Sequence, residues 1–228
     1  MSHRWLHMHL AAPLMSFGGV AIDHVGPTRD FPAASALTGL LANALGWRWQ
    51  DRAAHVDLQA RLVFGAGIAR QGRVVTDTQN AKLEKADKGW TTWGAPEGRA
   101  GATYDAPHRR QRDYLADHAC HVVLRVAEGD GPDLDTLADA LQRPVRPLFL
   151  GRKPCLPSVP IFAGWATGDT ARAALTSLEV DWSDGGEALW PETDDLPEGA
   201  RIVDLADLRN WDSGLHGGAR PVVRGRLG

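Results

Sequence analysis

Basic side chains gather in short runs along this 228-residue chain: Lys82, Lys85 and Lys88, then Arg109, Arg110 and Arg112, then Arg143, Arg146, Arg152 and Lys153. Runs of this kind are the footprint of a phosphate backbone, because arginine grips phosphate through two donors while lysine supplies a point charge. Gly151, beside Arg152 and Lys153, lets the main chain approach a ligand closely. Arg29 precedes Ser35, which reads as the N-cap of a helix whose opening N–H groups, at Ala36, Leu37 and Thr38, would attract a phosphate. Around the lysines stand Trp90, Trp93 and Tyr104, flat faces on which a base can stack. The plainer readings are solvated loops, a capped helix, a glycine turn and aromatics that pin a loop to the body.

Other chemistries find less support. His3, His7 and His9 lie on one short stretch, and a strand places His7 and His9 on one face, but no carboxylate joins them, so they read as solvent-facing strand residues and no metal or cofactor is expected. Two cysteines, Cys120 and Cys155, argue against a disulfide framework and against a zinc site built from thiolates. No apolar run reaches the length of a membrane span, and the opening MSHRWLHMHL is not a signal peptide, so the expected compartment is the cytoplasm. The formal charge of −3 hides an uneven distribution. Between Ala173 and Ala200 there are eight acids and no Lys or Arg, and setting these aside leaves 25 basic against 20 acidic residues.

These groups need elements to hold them. Residues 4–11 alternate as a half-buried first strand, with Leu6, Met8 and Leu10 on one face. A helix follows from Ser35 to a C-terminal Gly46, with Leu37, Leu40, Leu41, Ala44 and Leu45 at helical spacing. Residues 61–70 read as a second strand and 118–127 as a third, carrying Cys120, Val122, Leu124 and Val126 on one face. A helix from Pro132 carries Leu134, Leu137 and Leu141, and 145–150, interrupted by Pro147, reads as a fourth strand at a sheet edge. This order is the α+β, ferredoxin-like βαββαβ unit, also the order of RNA-recognition domains. No aromatic segment of the base-stacking kind lies on strands one and three, so an RNA would bind away from that sheet face. The unit occupies residues 1–155. An insertion at about 71–113 is too long for a connector and reads as a functional loop or extended hairpin. Residues 156–228 read as a smaller, irregular, β-rich region.

Four segments carry a resemblance. PTRDFPAASALTGLL runs from Pro27 to Leu41, LAAPLMSFG from Leu10 to Gly18, RDYL from Arg112 to Leu115 and PLFLGRKPC from Pro147 to Cys155. In this order and spacing they resemble the CasD family of type I-E CRISPR Cascade, which belongs to the RAMP superfamily. The likeness runs from residue 6 to 165. It implies a non-catalytic RNA-binding subunit that holds the five-prime handle of the crRNA, caps the filament of backbone subunits and helps recruit the large subunit, meeting target DNA only through the complex and no membrane. It implies RNA contacts at Arg29, Ser35, Thr38, Arg109, Arg110, Arg112, Gly151, Arg152 and Lys153. The insertion becomes a thumb lying across the guide, carrying Lys82, Lys85, Lys88, Trp90 and Trp93. Ala34 and Ala36 stand where the family pattern has Arg and Gly, and Lys153 replaces an arginine. Related RAMP proteins cut precursor RNA without metal, using His, Tyr and Lys as acid and base. Tyr104 and His108 with Lys82 or Lys85 give the alternative of a repeat endoribonuclease.

Overall fold

The computed structural model describes residues 2–21, 23–81, 89–90, 96–97, 108–184 and 186–227. Strands β1 (His3–Ala11), β2 (Leu14–Met15) and β3 (Val25–Gly26) precede helices α1 (Ala34–Leu45) and α2 (Arg52–Arg61). Then come β4 (Leu62–Arg70), β5 (Arg73–Ala81), β6 (Gly89–Trp90), β7 (Pro96–Glu97), β8 (His108–Ala116) and β9 (Ala119–Val126). Helix α3 (Leu134–Gln142), β10 (Phe162–Gly168), α4 (Ala171–Thr176), β11 (Glu187–Pro191), β12 (Arg201–Arg209) and β13 (His216–Arg226) complete the chain.

The fold is mixed α/β around a seven-stranded sheet in the order β10-β1-β9-β4-β11-β13-β12, every neighbouring pair antiparallel. Leu6, Met8 and Leu10 of β1 join Phe64, Ala66 and Ile68 of β4 and Cys120, Val122 and Leu124 of β9 in one core. Helix α1 covers it with Leu37, Leu41 and Ala44, α2 with Leu58, and α3 with Leu137 and Leu141. The opposite face is also covered. There Trp5, Val123, Trp190 and Val223 pack with Ala171, Ala174 and Leu175 of α4, and Trp5 Nε1 donates to the Gly168 carbonyl at 2.9 Å. The second face of strand one is therefore covered at Trp5 and in part at His7 and His9, because α4 arrives from far along the chain.

The expected strand at 145–150 is not formed. Pro147 has no N–H for a ladder, and its carbonyl instead accepts from Asn43 Nδ2 of α1, while Leu150 N–H donates to the Cys155 carbonyl and closes a tight loop. The edge position beside β1 is taken by β10, pairing His3 with Gly168 through Met8 with Phe162. Helix α2 was not anticipated, because its buried residues are His55, Leu58 and Arg61, which give no apolar stripe. Helix α1 begins one residue before Ser35, at Ala34, with Ala33 as its N-cap. Gly46 ends it in the left-handed region at φ 81°, as the sequence indicates.

The insertion leaves the body as a two-stranded ribbon, β5 against β8, paired from Arg73 with Ala116 to Ala81 with His108. Strand β2 pairs with β8 at its base and β3 with its middle, and β6 pairs with β7. Among the described residues no helix is long and apolar enough to cross a membrane.

Candidate nucleic-acid interface

Two segments close in space form one wall of a cleft of about 380 Å³: Ser16 to Gly18 after β2, and Phe149 to Arg152 in the loop before β10. Helix α1 forms another wall with Ser35, Ala36, Gly39, Leu40 and Asn43. Arg209 and Trp211, at the turn between β12 and β13, close it from the far end of the chain. The α1 face is made of small residues for most of its length, so the groove stays open along the helix.

The Gly151 turn is shaped by packing. Gly151 has φ 91°, and a Cβ there would collide with the Ser16 carbonyl oxygen, so only glycine fits between these two walls. Ser16 N–H donates to the Leu150 carbonyl at 3.1 Å, which locks the walls together. The next residue, Arg152, is spent on architecture as well as charge: its Nη1 donates to the Asp113 carbonyl and its Nη2 to the Gly26 carbonyl, both at 3.0 Å. Its guanidinium lies 4.6 Å from the Tyr114 ring centroid. Gly26 has room for Arg112 and Arg152 together, since a Cβ there would lie 3.0 Å from Arg112 Nη1 and 3.3 Å from Arg152 Nη2. Two guanidinium groups thus meet at the root of the ribbon.

Along β8 the side chains alternate, so Arg110, Arg112 and Tyr114 share one face and Arg109 falls on the other. Arg109 and Arg110 are exposed. Their cross-strand partners on β5 are Asn80 and Gln79, while Arg112 stands opposite Asp77. Lys153 is exposed beside the turn. Ser35, Gly151 and Arg152 therefore line one cleft, Arg112 meets Arg152 at Gly26, Lys153 follows Arg152 in the turn, and Arg109 and Arg110 stand exposed further along β8.

Other expected contacts fall elsewhere. Thr38 is fully buried and its hydroxyl donates to the Ala34 carbonyl at 2.8 Å, so it faces the core. Arg29 donates to the Ala206 carbonyl of β12 at 2.6 Å and lines a separate recess with Phe31, Val203 and Leu205. The open helix N-terminus expected for phosphate is already filled. Ala34 N–H donates to Asp207 Oδ2 at 3.0 Å, and Ala36 and Leu37 donate to the Ala33 carbonyl. Asp207 is buried and paired with Arg220 at 3.0 Å, so a carboxylate of this chain occupies the favourable end of the helix dipole. Of the thumb residues, Lys82, Lys85, Lys88 and Trp93 lie outside the described residues, and Trp90 is placed only as the backbone of β6. Tyr104 also lies outside them, and His108 is placed only as the backbone of β8.

A second recess of about 470 Å³ continues the cleft, sharing Gly39, Asn43, Phe149, Arg209 and Trp211 with it. Trp47, Trp49, Arg52, His55 and Asp212 line this end. The rings form a connected series: Trp47 meets His55 edge-on at 5.5 Å, and His55 lies against Trp211 at 4.6 Å. Arg209 sits over Trp211 at 5.1 Å and Arg52 over Trp49 at 5.0 Å. Sequence reasoning passed over these residues. The available signal was the wealth of tryptophan, nine in all, with Trp47, Trp49 and Trp211 outside the insertion and each near an arginine.

The histidines of β1 form no metal centre, and among the described residues no group of three or more His, Cys, Asp or Glu side chains has metal-site geometry. His7 Nε2 and His121 Nδ1 instead share one hydrogen bond at 2.8 Å, with His9 stacked on His121 at 4.3 Å. His7 and His9 are thus half-covered rather than turned to solvent.

Comparison with known proteins agrees with this architecture. A family model described as CRISPR-associated protein (Cas_Cas5) matches residues 5–223. The CRISPR system Cascade subunit CasD of Escherichia coli (strain K12) is 26% identical over 175 residues, covering 77% of each protein. Among solved structures, a chain of a CRISPR RNA-guided surveillance complex superposes with a TM-score of 0.69 at 22% identity, over 98% of this chain and 90% of that one. A crystal structure of a Cas protein gives a TM-score of 0.57 at 24% identity, over 98% and 94%. With a family model spanning nearly its whole length, the chain belongs to the CRISPR-associated Cas5 family.

Proposed function

We propose that this protein is the subunit of a type I-E CRISPR surveillance complex that holds the five-prime handle of the guide RNA, and that it does so without cutting it. The observation that carries the reading is the cleft itself: Arg152 and Arg209 line it beside Phe17, Phe149 and Trp211, and among the described residues no acid lines its near end. Cations beside flat rings are what a single strand needs, a track for phosphates and faces for bases. Kinship with a Cascade subunit supplies the biological setting. The handle enters along the exposed side of β8, past Arg109 and Arg110, and reaches Arg209 through the cleft. Strands β1, β4, β9 and β10 with α1 and α3 make a βαββαβ unit of the ferredoxin-like RAMP kind, running to Gly168. The β5–β8 ribbon is the stem of a thumb that crosses the guide and touches the adjacent backbone subunit. The chain caps the backbone filament and helps recruit the large subunit.

Binding measured on the reconstituted complex tests this. Handle RNA binds more tightly than unrelated RNA of equal length, and the logarithm of affinity falls with the logarithm of salt by about 0.7 per phosphate held. Arg110→Ala and Arg209→Ala each make that slope shallower. Equal affinity for both RNAs, or a flat salt dependence, refutes handle recognition. His108→Ala leaves the length of the guide RNA unchanged. Trimming of a repeat RNA by the purified chain, abolished by His108→Ala, would establish the endoribonuclease instead.

A further inference from the structure

We infer that the far end of the cleft, between Trp47, Trp49, His55 and Trp211, is a seat for an unpaired nucleobase of the bound RNA. This rests on the RNA-holding reading above and adds to it a division of labour within the cleft. The near end carries Arg152 and Arg209 with no acid among the described residues, so it suits phosphate. The far end keeps Arg209 and adds Arg52, but both guanidinium groups lie over indole rings, and Asp212 lines the same recess. A carboxylate there repels a phosphate and accepts hydrogen bonds from an exocyclic amine or ring N–H of a base.

His55 is buried and Trp47 packs on the core, so they form the floor of the recess, and Trp49 is the ring left open for stacking. Trp49 is 71% exposed, an unusual state for a residue whose large apolar surface is generally covered. His55 is held in place from behind, its Nδ1–H donating to the Asp51 carbonyl at 2.7 Å, and its ring tilts only 32° from Trp211. Among the described residues, Trp211 Nε1–H is a buried donor with no partner, and so is the Ser16 hydroxyl at the near end of the cleft. A buried polar atom left unpaired is costly, and two of them along one cleft point to a polar ligand. A purine or pyrimidine supplies a π-face for the rings together with acceptors and donors at its edge. A purely apolar protein side chain would leave both polar atoms unmet.

The test uses the assembled complex, loaded with guide RNA carrying 2-aminopurine at one position at a time outside the pairing segment. This base analogue loses fluorescence when stacked. One position is strongly quenched in the wild-type complex. Trp49→Ala and Trp211→Phe relieve the quenching at that position alone, and Trp49→Ala releases the RNA roughly tenfold faster, within the range for one base–aromatic stack. Trp165→Ala, an exposed tryptophan on β10 beside Arg4, changes neither reading. If RNA stays bound while no position responds to Trp49→Ala or Trp211→Phe, the base seat is refuted and handle holding stands. Loss of a protein subunit on Trp49→Ala, with fluorescence unchanged, assigns the recess to that protein and likewise refutes the seat. A wild-type complex that assembles but fails to retain the handle overturns the RNA-holding reading itself.

Discussion

Gly151 and Asp207 show how single residues decide whether the cleft exists. Gly151 needs a left-handed backbone at φ 91° and the space that a side chain would take from the Ser16 carbonyl. Alanine meets both penalties, so Gly151→Ala costs about 3 kcal/mol or more, read as a lower urea midpoint at unchanged slope. Asp207 does different work. Its carboxylate receives the first N–H of α1 and the guanidinium of Arg220, and its side chain is fully buried. Asp207→Ala leaves a helix terminus and a mostly buried cation without a partner. It lowers stability by about 3 kcal/mol, the low end for a broken buried pair because Arg220 keeps some water. Salt should change this cost little, since buried pairs are poorly screened. A phosphate was the expected guest at that helix end. The answer lay 173 residues away along the chain, beyond the reach of local capping rules.

Elements with a strong period were legible, and the reason is burial on one recognisable face. β1, β9, α1 and α3 each present apolar residues at strand or helix spacing, and each lies within one or two residues of its expected bounds. α2 was hidden because Arg61 is buried through its bonds, donating to the Ala127 carbonyl at 2.9 Å and to Asp57 at 3.2 Å, rather than through apolarity. The strand expected at 145–150 failed for the opposite reason: its apolar residues are those of a loop pinned to α1, with Val145 N–H donating to the Ala44 carbonyl at 2.9 Å. The length of the insertion reads as a functional loop or an extended hairpin, its described part is the β5–β8 ribbon, and every residue of β5 is exposed. That exposure makes a prediction. Ala81 and His108 are directly paired, so a short type I′ turn can replace residues 82–107 without moving either strand. The shortened chain keeps its thermal midpoint within the shift expected for about 1 kcal/mol, because loop length contributes only logarithmically. Its incorporation into the complex falls. A shortened chain that assembles and protects the same RNA would remove the thumb from the mechanism.

At the scale of the whole molecule, the sheet joins residues that the sequence reading had assigned to separate regions, and the cleft draws on both. β10 pairs with β1 and β11 with β4, and Arg209 and Trp211 complete a groove whose other walls come from residues 16–152. Gly151 and Arg152 were legible as local motifs, but the aromatic end was not, since nothing local links Trp49 to Trp211. The same long-range closure makes the protein sensitive to acid. Burial and the neighbouring histidines hold His7 down to about 4 and His121 to about 3, and burial also lowers His118 and His9, where Arg70 adds to the effect. His118 accepts a hydrogen bond from Gly72 N–H on Nδ1 and so must donate from Nε2 to the Asp30 carbonyl, a pattern only the neutral ring can make. All these groups are neutral in the fold and take up protons on unfolding once the pH drops below about 6.5. Between that value and about 3 the unfolded chain binds more protons than the native one, so stability is full above pH 6.5 and is lost as the pH falls. Urea unfolding at pH 7.5 and pH 5.0 measures this directly, the midpoint dropping at the lower pH. His121→Gln removes the largest of these shifts and leaves a hydrogen-bonding side chain beside His7, so it narrows the gap between the two midpoints. If His121→Gln leaves that gap as wide as in the wild type, the buried histidine pair is not the source of the acid sensitivity.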